Sequence, residues 1–206
     1  MKQFPSHFYA MVDPAAGHAP AELAQILLSA GARVLQLRLK DACGRDFLDA
    51  AKAIAAMCRK HRAMFIVNDR VDIAMIAGAD GVHLGQDDLP IAAAQSIAGR
   101  RMIIGISTHS LDQALAAERA GADYIGFGPM CPGGAKETRF GQGLDNLRAV
   151  RASVKIPIVA IGGITEDAVP EVLGAGADAV AIITDVVRAQ DIPSKVRAIL
   201  SLADGP

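Results

Sequence analysis

A (β/α)8 TIM barrel, an α/β fold of eight parallel strands each followed by a helix, is the class this sequence predicts. Three observations carry the prediction. Eight short apolar runs alternate with helical segments over 206 residues, a length that suits one domain with a sizeable core, so 1–206 is read as a single barrel. Four junctions repeat one device: Gly31–Ala32–Arg33, Gly78–Ala79–Asp80, Gly121–Ala122–Asp123 and Gly176–Ala177–Asp178. Each has glycine where a helix should stop, then a small residue and a charge before an apolar run. Glycine there supplies the left-handed C-cap conformation, and the repetition reads as one βα unit reused around a ring. Finally, no dinucleotide fingerprint follows the first run, which sets the barrel above an open doubly wound sheet.

The elements follow in order. Phe8–Val12 is the first strand, closed by Asp13–Pro14, and a helix runs from about Ala21 to Ala30. The second strand, Val34–Leu39, places Gln36 and Arg38 on one face, which Lys40 continues. Asp46 is positioned to cap a helix running to about Lys60. Phe65–Val67 is a strand, Val71–Ala77 a short helix and Val82–Leu84 the next strand. Pro90 can open a helix that Gly99 ends. Met102–Ile106 leads to Ser107–Thr108–His109. Leu111–Ala120 is helical, Tyr124–Phe127 extended, and a Gly/Pro-rich loop spans Gly128 to Gly143. Leu144–Ala152 is a helix and Ile158–Ile161 a strand ending in Gly162–Gly163. Thr165 is a candidate cap for a helix around Ala168–Leu173. Ala179–Ile183 ends at Thr184–Asp185, and a closing helix follows Pro193.

Composition narrows the function. Charged residues make up 21% of the chain and the formal net charge is -1, so there is no broad electrostatic footprint for nucleic acid. Cys43, Cys58 and Cys131 match neither a disulfide framework nor a zinc cluster. The start, MKQFPSHFYAMVDP, has no signal-peptide apolar core, and no run approaches a membrane span. A cytoplasmic protein with small-molecule partners and no membrane is the expectation; a homodimer is compatible with it.

In a barrel the C-terminal strand ends converge, and chemistry is placed there. Those ends carry Arg38, Lys40, Asn68, Asp69, Asp88, Ser107, Gly162, Gly163 and Thr184, with Lys136 in the long loop. The inward basic groups Arg38 and Lys40 call for an anionic ligand or for neighbouring acids. Asp69 and Asp88 end adjacent strands. Paired carboxylates repel unless a proton or cation intervenes, and Mg2+ suits carboxylates, water and phosphate oxygens. Two helix caps that never meet are the alternative. Gly162–Gly163, directly before a helix and after the seventh strand, suits phosphate. The loop carrying Lys136 is long enough to act as a lid over a diphosphate. His83 lies on a barrel strand and can line the pocket, whereas His109 can cap or pack against its helix. Cys131 has no base tied to it.

Taken together, these pieces resemble the thiamine-phosphate synthase family. The matching segments are Gln36–Leu37–Arg38–Leu39–Lys40, Asn68–Asp69–Arg70, Asp80 to Asp88, Gly105–Ile106–Ser107 with His109, Gly121 to Tyr124 with Gly128–Pro129, Lys136, and Val159 to Ile164. The resemblance spans nearly the whole chain and rests on the number and order of the segments. It implies a transferase of thiamine biosynthesis. Such an enzyme couples 4-amino-2-methyl-5-hydroxymethylpyrimidine diphosphate to hydroxyethylthiazole phosphate, releasing pyrophosphate, through a pyrimidine-methyl cation. By resemblance Asp69 and Asp88 hold Mg2+, and Arg38, Lys40, Lys136 and the metal stabilise the departing diphosphate. Asn68 and Ser107 orient its oxygens, Gln36 helps place the pyrimidine, and Gly162, Gly163 and the backbone near Thr184 hold the thiazole phosphate.

The sequence departs from the family in two places. The lid pattern Pro-Thr-x-Thr-Lys reads Pro132–Gly133–Gly134–Ala135–Lys136, so Gly133 and Ala135 stand where hydroxyls would help hold phosphate. The last strand ends Thr184–Asp185–Val186 in place of the commoner Ser-Ala-Ile. Two other functions compete: a thiazole tautomerase-like relative, and a phosphate-ligand sensor without catalysis, which the altered lid favours. A tautomerase of this kind has a histidine after the lid-strand glycine, where this chain has Pro129. An unrelated phosphosugar isomerase would need an acid–base pair poised on sugar carbons.

Overall fold

The computed structural model describes residues 4–14, 17–99, 102–131 and 142–204. Eight parallel strands close on themselves in sequence order: β1 Phe8–Val12, β2 Val34–Leu37, β3 Met64–Asn68, β4 Gly81–Leu84, β5 Ile103–Thr108, β6 Tyr124–Phe127, β7 Ile158–Ile161 and β8 Ala179–Ile182. β8 returns to pair with β1 through Phe8 opposite Val180 and Ala10 opposite Ile182. The helices are α1 Pro20–Ser29, α2 Gly44–His61, α3 Val71–Ala77, α4 Ile91–Ala98, α5 Leu111–Arg119, α6 Gly143–Ser153, α7 Val169–Gly174, α8 Thr184–Val187 and α9 Ile192–Ala203. A 3-10 turn, Glu166–Ala168, precedes α7.

Alternation along the strands separates two cores. Phe8, Ala10 and Val12 point outward with Leu35, Leu37, Phe65 and Val67 and pack under the helices. Tyr9, Met11, Val34, Ile66, Ile103, Tyr124 and Val159 fill the barrel interior. Strands covered on both faces read as continuous apolar runs, which is why eight of them were visible in the sequence.

The four glycine junctions are C-caps of one kind. Gly31, Gly78, Gly121 and Gly176 all have positive φ. In each, the glycine N–H bonds three residues back and the following alanine N–H five residues back, as in Gly78 to Met75 and Ala79 to Ala74. They precede β2, β4, β6 and β8, so the repeat spans two βα units rather than the single unit expected. The charge has a task at three of them. Asp80, Asp123 and Asp178 each accept, at 2.8 Å, the N–H of a residue early in the preceding strand: Phe65, Ile104 and Ile158. The acid at the foot of β4, β6 and β8 thus grips the neighbouring strand.

Several local expectations are corrected. β2 stops at Leu37, so Arg38 to Lys40 form the loop beyond it. Asp46 does not cap α2; the helix starts two residues earlier, behind Cys43, and Asp46 lies in its first turn, where its charge favours the helix dipole. Thr165 makes no side-chain cap bond. Thr184 starts α8 instead of ending a strand. Among the described residues no helix is long and apolar enough to cross a membrane.

Candidate active site

A cavity of about 1040 Å³ opens at the C-terminal ends of the strands. Gln36, Arg38, Asn68, His83, Ser107, Gly162, Gly163, Thr184 and Asp185 line it, so most of the sequence-predicted site residues meet in one space. Lys40, Asp69 and Asp88 lie outside that lining. Lys136, Gly133 and Ala135 lie outside the described residues.

One wall comes from β2 to β5. Arg38 projects past the end of β2, and its Nη1 donates to Asp13 Oδ2 at 2.6 Å. Asp13 is buried, so Arg38 is held by an acid from the end of β1 and still faces the cavity. Of the two alternatives raised for this arginine, the neighbouring acid is present, and the side chain still lines the cavity. Asn68 ends β3 and is buried. Asp69 follows with φ 62, a left-handed conformation that aspartate tolerates better than most side chains. Its N–H is tied to the His83 carbonyl at 2.8 Å, and Arg70 N–H closes onto Asn68 carbonyl at 2.7 Å. Local backbone strain of this kind collects where side-chain aim matters.

The two acids do meet, against the alternative of separate caps. Burial pushes the Asp69 carboxyl up to about 6, its hydrogen bond and charge repulsion with Asp88 push the same way, and Lys40 and Arg38 oppose them. Asp88 Oδ2 also accepts the Gly85 N–H at 2.6 Å. Among the described residues no group of three or more His, Cys, Asp or Glu side chains could hold a metal. Two carboxylates suffice for Mg2+ when water and substrate phosphate complete its shell. The pair fits that ion, because a cation would relieve the repulsion that raises Asp69.

The opposite wall comes from β7 and β8. Gly162 and Gly163 have φ 86 and 74. Their glycine identity is explained by packing. A Cβ on Gly162 would press on Pro129, and one on Gly163 would collide with the Cys131 carbonyl. The segment after β6 lies directly on them, with Met130 N–H to Ile161 carbonyl at 2.9 Å and Cys131 N–H to Gly162 carbonyl at 3.0 Å. The Asp185 carboxylate faces protein groups: it accepts Glu166 N–H at 2.9 Å and pairs with Lys195 Nζ at 3.1 Å, and Lys195 also meets Glu166 at 2.9 Å. Asp185 therefore ties the loop after β7 to α9, and with it brings Lys195 to the cavity edge.

A buried polar chain runs through the barrel interior, with both ends, Gln36 of β2 and Ser107 of β5, on the first wall. Gln36 Nε2 donates to Tyr9 Oη, Tyr9 Oη meets Tyr124 Oη, Tyr124 Oη meets His83 Nδ1, and His83 Nε2 meets Ser107 Oγ, each at 2.9 Å. Burial lowers the His83 pKa to about 4, with the Asp88 charge opposing it, so the ring is neutral at pH 7. Burial likewise raises both tyrosine hydroxyls above their ordinary value. Gly105 makes the chain possible, since a Cβ there would overlap the Tyr124 ring.

Sequence reasoning did not single out Tyr9, Tyr124, Arg188 or Lys195, all of which line the cavity. The tyrosines carried a signal, being polar groups at inward positions of apolar strands. Lys195 carried none, because its partner Asp185 is ten positions away on another element. His109 belongs to the cavity too; its Nδ1 meets the Gly128 carbonyl at 2.7 Å, and the α5 cap is Ser110.

The fold and cavity define a class first: a (β/α)8 barrel with a large cavity at the C-terminal strand ends, the end where barrels of this kind place their chemistry. Comparison with known proteins narrows it. The profile of the thiamine monophosphate synthase family matches residues 8–186. The chain is similar to thiamine-phosphate synthase of Methanospirillum hungatei, 44% identical over 191 residues covering 91% of this chain and 92% of the relative. It is 46% identical to thiamine-phosphate synthase of Chlorobium limicola over 185 residues, 89% and 88% of the two chains. Among solved structures, thiamine phosphate pyrophosphorylase from Pyrococcus furiosus superposes with TM-score 0.88 at 38% identity, covering 95% of this chain and 94% of that one. The chain belongs to the thiamine monophosphate synthase family, a family of transferases.

Proposed function

We propose that this chain is a Mg2+-dependent thiamine-phosphate synthase, its residues 1–206 working as one catalytic barrel in the cytoplasm. Its substrates are 4-amino-2-methyl-5-hydroxymethylpyrimidine diphosphate and hydroxyethylthiazole phosphate. The observation that carries this reading is that Asp69 and Asp88 interact within reach of the Lys40 and Arg38 charges, while Arg38 itself lines the cavity that also carries Gly162, Gly163 and Thr184. Two anionic ends can thus be held at once, with an apolar middle of Met11, Val159 and Ile161 for the rings between them.

In this mechanism the pyrimidine methylene C–O bond breaks, the electron pair leaves with diphosphate, and the thiazole nitrogen lone pair forms the new C–N bond. Arg38 and Lys40 stabilise charge growing on the leaving oxygens, with Lys136 assigned to the same task from the lid. Asn68 and Ser107 orient those oxygens. Asp69 and Asp88 would hold Mg2+, and the ion, when bound, would supply Lewis-acid stabilisation of the charge on diphosphate. Gln36 and His83 place the pyrimidine. Backbone N–H groups at Gly162, Gly163 and Thr184 hold the thiazole phosphate, with Asp185 fixing the loop. No protein nucleophile is needed. Holding both substrates in one cavity contributes proximity.

The test supplies purified protein with both substrates and Mg2+ and measures thiamine phosphate and pyrophosphate together. Both products are expected in equal amounts. Binding without either product would favour the non-catalytic sensor, the reading supported by Gly133 and Ala135 in place of lid threonines. Gly133→Thr with Ala135→Thr then asks whether the lid hydroxyls tune turnover.

A further inference from the structure

We propose that Gln36, Tyr9, Tyr124, His83 and Ser107 form one directional hydrogen-bond chain that couples recognition of an amino group at one end of the cavity to recognition of an anion at the other. The inference rests on the substrate reading above and deepens it by assigning positioning roles to Tyr9 and Tyr124.

The direction follows from counting protons. Each hydroxyl has one proton to donate, and a neutral imidazole has one N–H. The four links of 2.9 Å each need one donor. Tyr9 and Tyr124 are fully buried, so a hydroxyl proton aimed at nothing would be costly. Among the described residues no buried side-chain polar atom lacks a partner.

Suppose the Gln36 amide N–H donates to Tyr9. Tyr9 must then spend its proton on Tyr124, Tyr124 on His83 Nδ1, and His83 must carry its hydrogen on Nε2 and give it to Ser107. The ends left for the cavity are the Gln36 carbonyl, an acceptor, and the Ser107 O–H, a donor. Suppose instead that the Gln36 carbonyl accepts. Every link reverses, His83 carries its hydrogen on Nδ1, and the ends become an amide donor and a serine lone pair. Mixed states leave a buried hydroxyl proton without an acceptor, or two oxygens facing each other without a proton.

Only the first polarity suits an anion at Ser107, and the same polarity demands a donor at Gln36. An aminopyrimidine diphosphate satisfies both ends. A pyrimidine with an oxo group in place of the amino group would impose the reverse polarity and set the serine lone pair against the diphosphate. The chain runs through β2, β1, β6, β4 and β5, so it links the Gln36 end to the Ser107 end through the barrel interior. Gly126 keeps its place in the chain open, since a Cβ there would come within 3.0 Å of the His83 ring.

The test uses whole protein, 15N-labelled at histidine, with two separate probes: inorganic pyrophosphate and 4-amino-5-hydroxymethyl-2-methylpyrimidine. Imidazole 15N shifts read the His83 tautomer, assigned with a His83→Gln control. The Nε2–H form is expected with both probes bound. Each probe should tighten the other's dissociation constant about fivefold or more. That coupling should vanish in Tyr9→Phe and in Tyr124→Phe, which keep the rings and remove one hydroxyl each. An Nδ1–H ring in the ternary state, or binding of both probes without mutual tightening, overturns the coupling and leaves the synthase reading standing. Failure of the pyrimidine or of pyrophosphate to bind overturns the substrate reading, and this inference with it. The tautomer and the coupling are both read in the unaltered protein, so a poorly folded variant does not decide the outcome.

Discussion

The two walls of the cavity are built by different means, and the anion-holding roles proposed for them differ accordingly. The β2–β5 wall uses side-chain charge: Arg38 tethered to Asp13, and Asp69 aimed from a left-handed backbone at Asp88. The β7–β8 wall uses backbone shape: two positive-φ glycines under the segment after β6, and a loop tied down by Asp185 and Lys195. A wall of opposed charges suits a group whose charge changes during reaction, because its stabilisation grows with that charge. A wall of fixed N–H groups suits a phosphate that is only held. The walls should accordingly fail in different ways.

The largest expected effect is on the charged wall. Asp69→Ala and Asp88→Ala should each lower kcat with saturating Mg2+ by about 100-fold or more, while circular dichroism reports an unchanged fold. Turnover equal to that of the unaltered protein in either variant would remove the metal role assigned to it. The shaped wall should fail by folding. Gly163→Ala puts a Cβ into the Cys131 carbonyl at a positive-φ site, a cost of about 3 kcal/mol that lowers Tm by about 6–12 °C. A melting curve unchanged from the parent would mean that the loop moves aside freely.

Lys195→Met sharpens the comparison further. Lys195 bridges Glu166 and Asp185 at the edge of the β7–β8 wall. Its loss should raise KM for the thiazole phosphate about tenfold and leave KM for the pyrimidine diphosphate within about twofold. Equal changes in both constants would place its influence on the whole mouth.

The smallest effect is one of pH. Asp69 titrates near 6 in the fold, above the ordinary carboxylate value of about 3.9. Between those values the unfolded chain gives up a proton that the folded one keeps, so stability falls as pH rises through that window and levels off above it. Asp69→Asn should therefore gain Tm over the parent at pH 8 but not at pH 4, both without metal. Solvent screening of this half-buried group keeps the gain to about 2–4 °C. A gain that is equal at the two pH values would assign it to something other than ionisation.

Much of this was legible in the chain itself. β1, β6, β7 and α3 fall at their sequence-read bounds, because apolar runs stopped by glycine, proline or a polar residue leave little ambiguity. The wall residues on strand ends were legible because strand parity decides which side chains face inward: Gln36 follows from that rule, and Arg38, one residue past the end of β2, still lines the same cavity. Cap chemistry was less legible. Asp46 and Thr165 each stand near a helix start, yet the chain's path sets which N–H groups they can reach, and the Glu166 N–H is taken by Asp185 from α8. Nor does parity say that Tyr9 and Tyr124 touch across the barrel; that requires the closed ring and the missing side chain of Gly105.

The ring also closes at its foot, where Asp204, just past α9, accepts the Ser6 hydroxyl at 2.8 Å and the His7 N–H at 2.7 Å before β1 begins. Residues 6 and 204 are neighbours in space, so the cut between first and last strand is a matter of bookkeeping for the chain and of no consequence for the mouth. The two walls are defined by their places around a circle. A circularly permuted chain joined across residues 6 and 204 would inherit the same walls in the same order.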